Sequence, residues 1–231
     1  MLGLGSSVSK SGKAGPTIIR DGLVLKHDYN AGAVQPCSTG AASFNGSSDH
    51  IQLANAISYS VFSISAWVNV TNDATTKTIL DTRADDDEGV FFLVSSSEKV
   101  ALYVNGSNSN ATQLTVGVWQ HVVGTYDGTS IKLYVDGVLV ETTTPGGDSE
   151  TVSTTTAARI GKVAYTNSSW FSGYMANVGV WSAALTQAQV KSIMHKDYAG
   201  LSASEKTSLV SWWNLSSDAS DSHGSNSGTL S

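Results

Sequence analysis

Residues 118–140 read VWQHVVGTYDGTSIKLYVDGVLV. Polar and apolar side chains alternate through Trp119–Tyr126, Ser130–Val135 and Val138–Thr143, the period-two mark of strands with two distinct faces. Asp127-Gly128-Thr129 and Asp136-Gly137 separate the three runs. Asp-Gly is a strong hairpin signal, because glycine reaches the positive φ that a tight turn demands. Three such strands bury an apolar face only by packing on a second sheet. No residue in the stretch is placed to do chemistry. It predicts a scaffold, and function has to come from elsewhere in the chain.

Strand signals continue on both sides. Ile18–His27 is a first candidate; Ala41–Phe44 and His50–Leu53 flank the turn Asn45-Gly46-Ser47-Ser48. In Phe62–Val70 the residues Phe62, Ile64, Ala66, Val68 and Val70 share one face and Ser63, Ser65, Trp67 and Asn69 the other, which predicts a half-buried strand. Lys77–Thr82 and Gly89–Ser95 bracket an acidic loop. Lys99–Val104 places Val100, Leu102 and Val104 inward. Ala158–Lys162 and Gly173–Trp181 complete the main set. Ser208–Leu215 is a late strand whose Trp212 and Trp213 fall on opposite faces; one indole is expected inside, the other over a sheet edge or against a partner. Helical signal is confined to two capping boxes, Thr186 to Gln189 and Ser202 to Glu205, the first followed by the stripe Val190, Ile193 and Met194.

The chain has 231 residues, a length at which sandwiches form single domains. Apolar residues make up 40%, enough for a core, but charged residues only 14%, so Ser, Thr, Asn and Gly carry solubility. That balance suits β proteins working outside cells or on particle surfaces. A net charge of −6 with scattered Lys and Arg argues against a nucleic-acid partner. The single cysteine, Cys37, excludes an internal disulfide. The five histidines are dispersed, without zinc-finger spacing. Residues 1–16 form a Gly/Ser-rich arm that lacks the apolar run of a signal peptide, and no stretch has the length of a membrane-spanning helix. Six Asn-X-Ser/Thr sequons, at Asn45, Asn69, Asn105, Asn110, Asn167 and Asn214, reflect richness in these residues unless the chain is exported. A virus particle component reconciles an extracellular composition with the lack of a leader.

Taken together, GAASFNGSSDHIQL (40–53), FSISAWVNV (62–70), WQHVVGTYDGTSIKLYVDGVLV (119–140), RIGK (159–162) and FSGYMANVGVWSAALTQAQVKSIM (171–194) resemble laminin G-like domains of the concanavalin A-like lectin/glucanase superfamily, in that family's order. The resemblance covers roughly residues 17–195. It implies an all-β, two-sheet antiparallel jelly roll with one concave sheet, the short helix after Leu185 closing an edge, and residues 196–231 packing on the same domain. The head IIRDGLVLKHDYNAG and the tail LVSWWNLSSDASDSHGSNSGTL are similar to the flanks of such domains in tailed-phage virion proteins.

Glycoside hydrolases of that superfamily need two carboxylates flanking the scissile bond, usually on a Glu-X-Asp-X-X-Glu strand. The five Glu, at 88, 98, 141, 150 and 205, form no such pattern. His121 reads as a strand histidine hydrogen-bonded within the sandwich, since nothing marks a nucleophilic serine. Asp85-Asp86-Asp87-Glu88 is the densest group of hard oxygens and the first candidate for Ca²⁺, without EF-hand spacing. Asp148, Glu150, Asp218 and Asp221 are weaker candidates. For sugars, a flat aromatic beside amides is the usual requirement. Tyr165, Asn167 and Trp170 supply it on a loop, where recognition residues concentrate, with packing at an edge as the equal alternative for Trp170. Trp67, Trp119 and Trp181 read as packing residues.

The expected protein is therefore a non-enzymatic virion component, a head decoration, knob or fibre-type subunit. It needs no cofactor, with Ca²⁺ as the candidate ion. Its partners are other virion subunits, further copies of itself and a cell-surface glycan, with no nucleic acid and no membrane insertion. A secreted carbohydrate-binding module and a glycoside hydrolase are the alternatives.

Overall fold

The computed structural model describes residues 36, 40–85, 88–145 and 157–231. The arm 1–16, the candidate strand Ile18–His27, and Cys37, Asp86, Asp87, Asp148 and Glu150 lie outside the described residues.

Fourteen strands among the described residues form two antiparallel seven-stranded sheets. The first contains β1 (Ala42–Asn45), β3 (Phe62–Val70), β8 (Gln120–Tyr126), β9 (Ile131–Val135), β10 (Val138–Thr143), β12 (Ser172–Trp181) and β13 (Leu209–Trp213). Its order is β1-β12-β3-β8-β9-β10, and β13 pairs with the end of β12 that β1 leaves open. The second contains β2 (Ile51–Leu53), β4 (Lys77–Asp81), β5 (Val90–Val94), β6 (Lys99–Val104), β7 (Ser107–Gln113), β11 (Arg159–Ile160) and β14 (Gly228–Leu230), in the order β14-β2-β11-β4-β5-β6-β7. This is the expected all-β jelly-roll sandwich. The opening stretch is the meander β8-β9-β10, and its second turn has φ of 49° at Asp136 and 74° at Gly137, as a type I′ hairpin requires.

The core lies between the sheets. Phe62, Ile64, Ala66, Val68 and Val70 of β3 meet Phe92, Val100, Leu102 and Val104 of the opposite sheet, as the alternation predicts. The other face of β3 departs from the half-buried expectation: Ser63, Ser65 and Trp67 are buried too. The cause is a roof made of α1 (Gln187–Ile193), α2 (Ala203–Lys206) and the segments around them. Leu185, Val190, Ile193 and Leu201 pack on Val123, Tyr134, Trp181 and Trp212. Trp67 Nε1 donates to the Met194 carbonyl at 2.9 Å, and Ser63 Oγ donates to the Ala183 carbonyl at 2.7 Å. The helix after Leu185 thus covers an outer face rather than closing an edge. Both capping boxes form. Trp212 and Trp213 do take opposite faces, but both are buried, Trp212 under the roof and Trp213 between the sheets. The expectation that the second indole lies over a sheet edge or against a partner is corrected, because this chain's own roof covers it. The expected strand Ala158–Lys162 shrinks to two residues, while β7 has no counterpart in the strand reading of the sequence.

Candidate functional site

The outer face of the second sheet lies opposite the roofed one. Because side chains alternate and the register is antiparallel, one residue from each strand falls into a single cross-strand row. The row runs Thr229, Gln52, Arg159, Asp81, Phe91, Tyr103, Asn108. Asp81 is fully buried at its centre and is held by Arg83, whose Nε donates to both carboxylate oxygens at 3.2–3.3 Å and whose Nη2 donates to Oδ2 at 2.9 Å. Burial pushes the Asp81 carboxyl up, and the Arg83 guanidinium opposes that shift. The same guanidinium lies 3.9 Å over the Phe91 ring and 5.2 Å from that of Tyr165. Phe91, Leu93, Ala101 and Val163 form a small apolar cluster, with Tyr103 and Tyr165 at its margin.

Loop 161–171 is strapped across this face. Phe171 N–H donates to the Gly161 carbonyl at 2.8 Å and closes the base of the loop. The Ser169 carbonyl accepts from the backbone and hydroxyl of Thr78 on β4, at 3.0 and 2.7 Å. Gly161 has φ of 87°, and a Cβ there would meet the Phe44 ring at 2.6 Å, so glycine is required. Immediately after it, Lys162 turns its ammonium onto the loop. Nζ donates to Asn167 Oδ1 at 2.5 Å and sits 4.6 Å over the Trp170 ring. Burial and the neighbouring Arg159 charge hold the Lys162 pKa below the ordinary amine range. His50 meets Trp170 edge-to-face at 5.5 Å. Its Nδ1 lies 3.1 Å from the Ser48 carbonyl, which can only accept, so Nδ1 carries the proton and Nε2 is the free nitrogen of the neutral ring. Arg159 Nε donates to Gln52 Oε1 at 2.5 Å. Beside His50 opens a cavity of about 280 Å³ lined by Ser43, Phe44, Asp49, His50, Leu230 and Ser231, among others.

Tyr165, Asn167 and Trp170 therefore do share one loop. Tyr165 sits half-buried by Arg83, Asn167 is exposed, and Trp170 is half-buried between Lys162 and His50. The neighbours that complete the corner, His50, Gln52, Arg159 and Lys162, were not among the predicted ligands. Alternation in β2 and β11 places Gln52 and Arg159 on the outer face, but their adjacency depends on strand order.

Of the calcium candidates, Asp85 and Glu88 are exposed and joined by the Glu88 N–H to Asp85 Oδ1 at 3.1 Å. Among the described residues no group of three or more His, Cys, Asp or Glu side chains is close enough to hold a metal. Asp221 spends its oxygens on the backbone N–H groups of Trp212, His223, Gly224 and Asn226, which fold the tail. These bonds outweigh burial and lower its pKa. The side-chain hydrogen bond expected of His121 is missing at Nδ1 among the described residues. The residue lies on the outward face of β8 beside Trp67, and that nitrogen is buried.

A two-sheet antiparallel sandwich, roofed by helices on one side and bearing aromatic and cationic side chains on the other, is a lectin-like jelly roll. The chain belongs to the concanavalin A-like lectin/glucanases superfamily, whose Laminin_G_3 family matches residues 45–191. Among solved structures it is similar to a candidate carbohydrate-binding protein from Bacteroides ovatus, at 23% identity and a TM-score of 0.68, over 84% of this chain and 58% of that one. The chain thus spans little more than half of that protein's length. It is similar to the native heptameric SAP-like pentraxin of Limulus polyphemus, at 17% identity and a TM-score of 0.61, over 81% of this chain and 92% of that one. It also resembles the CBM40 of the Ruminococcus gnavus IT-sialidase, bound to α2,3-sialyllactose, at 9% identity and a TM-score of 0.52, over 69% and 98% of the two chains. No curated protein matches the sequence.

Proposed function

We propose that the protein binds carbohydrate without transforming it, at the corner where loop 161–171 meets β2 and β11. The observation that carries this reading is Trp170, an indole fixed between the Lys162 ammonium, which also holds Asn167, and the His50 imidazole, with the bonded pair Gln52 and Arg159 on the adjoining strands β2 and β11. Sugars offer apolar C–H faces to aromatic rings and hydroxyls to amides and guanidinium groups, and a site with both kinds of partner already ordered binds them at low entropic cost. The absence of chemistry is supported by the fate of the carboxylates. Asp81, Glu98 and Glu205, the buried ones among the described residues, are each paired to a cation, through Arg83, Lys77 and Lys196. A glycosidase instead needs one carboxyl free to donate a proton and a second opposite it.

The setting proposed is a virion, in which the module docks to other virion subunits and to copies of itself while the corner meets a cell-surface glycan. Composition and the resemblance of the head and tail segments support that setting. Calcium at Asp85, Asp86, Asp87 and Glu88 belongs to the same proposal. A glycan array followed by calorimetry tests the binding. Trp170→Ala is expected to weaken the strongest ligand at least tenfold, and Trp170→Phe to retain most of it. No binding by the unaltered protein at millimolar sugar would overturn the reading. Repeating the titration in EDTA tests the calcium, and mass spectrometry of purified particles tests the setting.

A further inference from the structure

We infer that the corner selects acidic sugars, with Arg159 as the group that reads the ligand's carboxylate or sulfate. This rests on the carbohydrate-binding reading above and sharpens it to a ligand class. Three cations elsewhere in the sandwich, one of them fully buried, are matched to acids. Lys77 is fully buried between Asp73 at 2.6 Å and Glu98 at 3.4 Å, Arg83 grips Asp81, and Lys196 grips Glu205 at 2.7 Å. Arg159 and Lys162 differ. Among the described residues neither forms an ion pair, although Lys162 is only 6% exposed and Arg159 is half-buried. The carboxylate that faces Arg159 across the ladder is Asp81, and both of its oxygens are occupied by Arg83. The Arg159 charge therefore acts on Lys162, in an acidic protein that pairs neither of them with an acid among the described residues.

The geometry of Arg159 suits an anion. Its Nε is spent on Gln52 Oε1, which fixes the plane of the guanidinium, while its two terminal nitrogens make no hydrogen bond among the described residues. A fork held at one end and open at the other matches the two oxygens of a carboxylate or sulfate, a bidentate match that lysine cannot make. An incoming anion would also relieve the repulsion between Arg159 and Lys162, a term strengthened where water is partly excluded. Trp170, clamped by Lys162, then supplies the wall for the sugar ring that carries the acid.

Matched pairs of glycans test the inference: lactose against 3′-sialyllactose, lactose against 3′-sulfolactose, and methyl-esterified against free oligogalacturonate. The expected result is that at least one acidic member binds tenfold or more tighter than its neutral partner, and that raising salt weakens only the acidic member. Arg159→Gln should cut that preference to threefold or less, the acidic member losing more affinity than its neutral partner. Arg159→Lys should fall between, because charge remains without the fork. Whether the sialylated, uronate or sulfated pair responds distinguishes carboxylate from sulfate. Equal binding of neutral and acidic members overturns the inference and leaves the carbohydrate reading standing. Preference unchanged in a folded Arg159→Gln variant overturns the role of Arg159. Failure of every member to bind removes the carbohydrate reading and the inference with it.

Discussion

His121 is 2% exposed, sits with its ring 5.4 Å from that of Trp67, and has a buried Nδ1 with no partner among the described residues. Burial first, and then the charge of His195, lower its pKa to about 3. The unfolded chain takes up a proton at this residue near its ordinary pKa of about 6.5, whereas the folded chain excludes it until about pH 3. The stabilising effect of a neutral His121 is therefore complete above about pH 6.5 and is lost as pH falls toward 3. On the order of 2 kcal/mol disappears between pH 7 and pH 5, or about 5 °C in melting temperature for a domain of this size. Thermal melts at the two pH values should show that drop, and His121→Leu should flatten it. An unchanged slope in the variant would mean that other groups carry the acid sensitivity. The sequence showed a histidine in a strand and suggested a satisfied one. Nothing local to residues 118–140 reveals that a helix from residues 187–193 and its end will seal it from water.

Among the elements, the one that sequence pattern missed is β7. Its residues, SNSNATQ, have no apolar alternation, and only Ser109 and Ala111 are buried. The available signal was the turn before it. Asn105-Gly106 has φ of 45° and 75°, the type I′ dipeptide that announces a hairpin whatever the partner strand looks like. A polar edge strand is also what a sheet needs to avoid pairing with strangers. The helices were legible because a capping box is a local signal: Thr186 and Ser202 each accept from an N3 backbone, and Gln189 and Glu205 reach back. Their destination was not legible, since it depends on which strands end up beneath them. Thr186→Ala removes one cap and is expected to cost about 1 kcal/mol, or 2–4 °C in melting temperature. Glycan affinity should stay within twofold, because α1 sits on the face opposite the proposed corner. A combined loss of affinity and stability would show that the two faces are coupled.

At the scale of the molecule, the sandwich divides its labour between two outer faces. One is closed by α1, α2 and a layer of tryptophans; the other is crossed by loop 161–171 and carries the row from Gln52 to Tyr103. The longer strands β3, β6 and β8 were readable because alternation declares itself over six to nine residues. The corner was only half readable. Asn167 and Trp170 are neighbours in the chain, so composition marked them, but Arg159 meets Gln52 across 107 positions, and only the order β2-β11-β4 brings them together. The first two strands of the meander, β8 and β9, are silent chemically for the same reason that they fold so clearly: both of their faces are committed to packing. The account's central claim, that the open face is the binding face, is tested most directly by a backbone amide NMR titration with the tightest glycan found. It predicts shifts concentrated in residues 50–52 and 159–170, with the roof at 185–205 and the meander at 120–135 unmoved. Saturable shifts confined to the roof or to the β10 edge, with the corner unmoved, would contradict it.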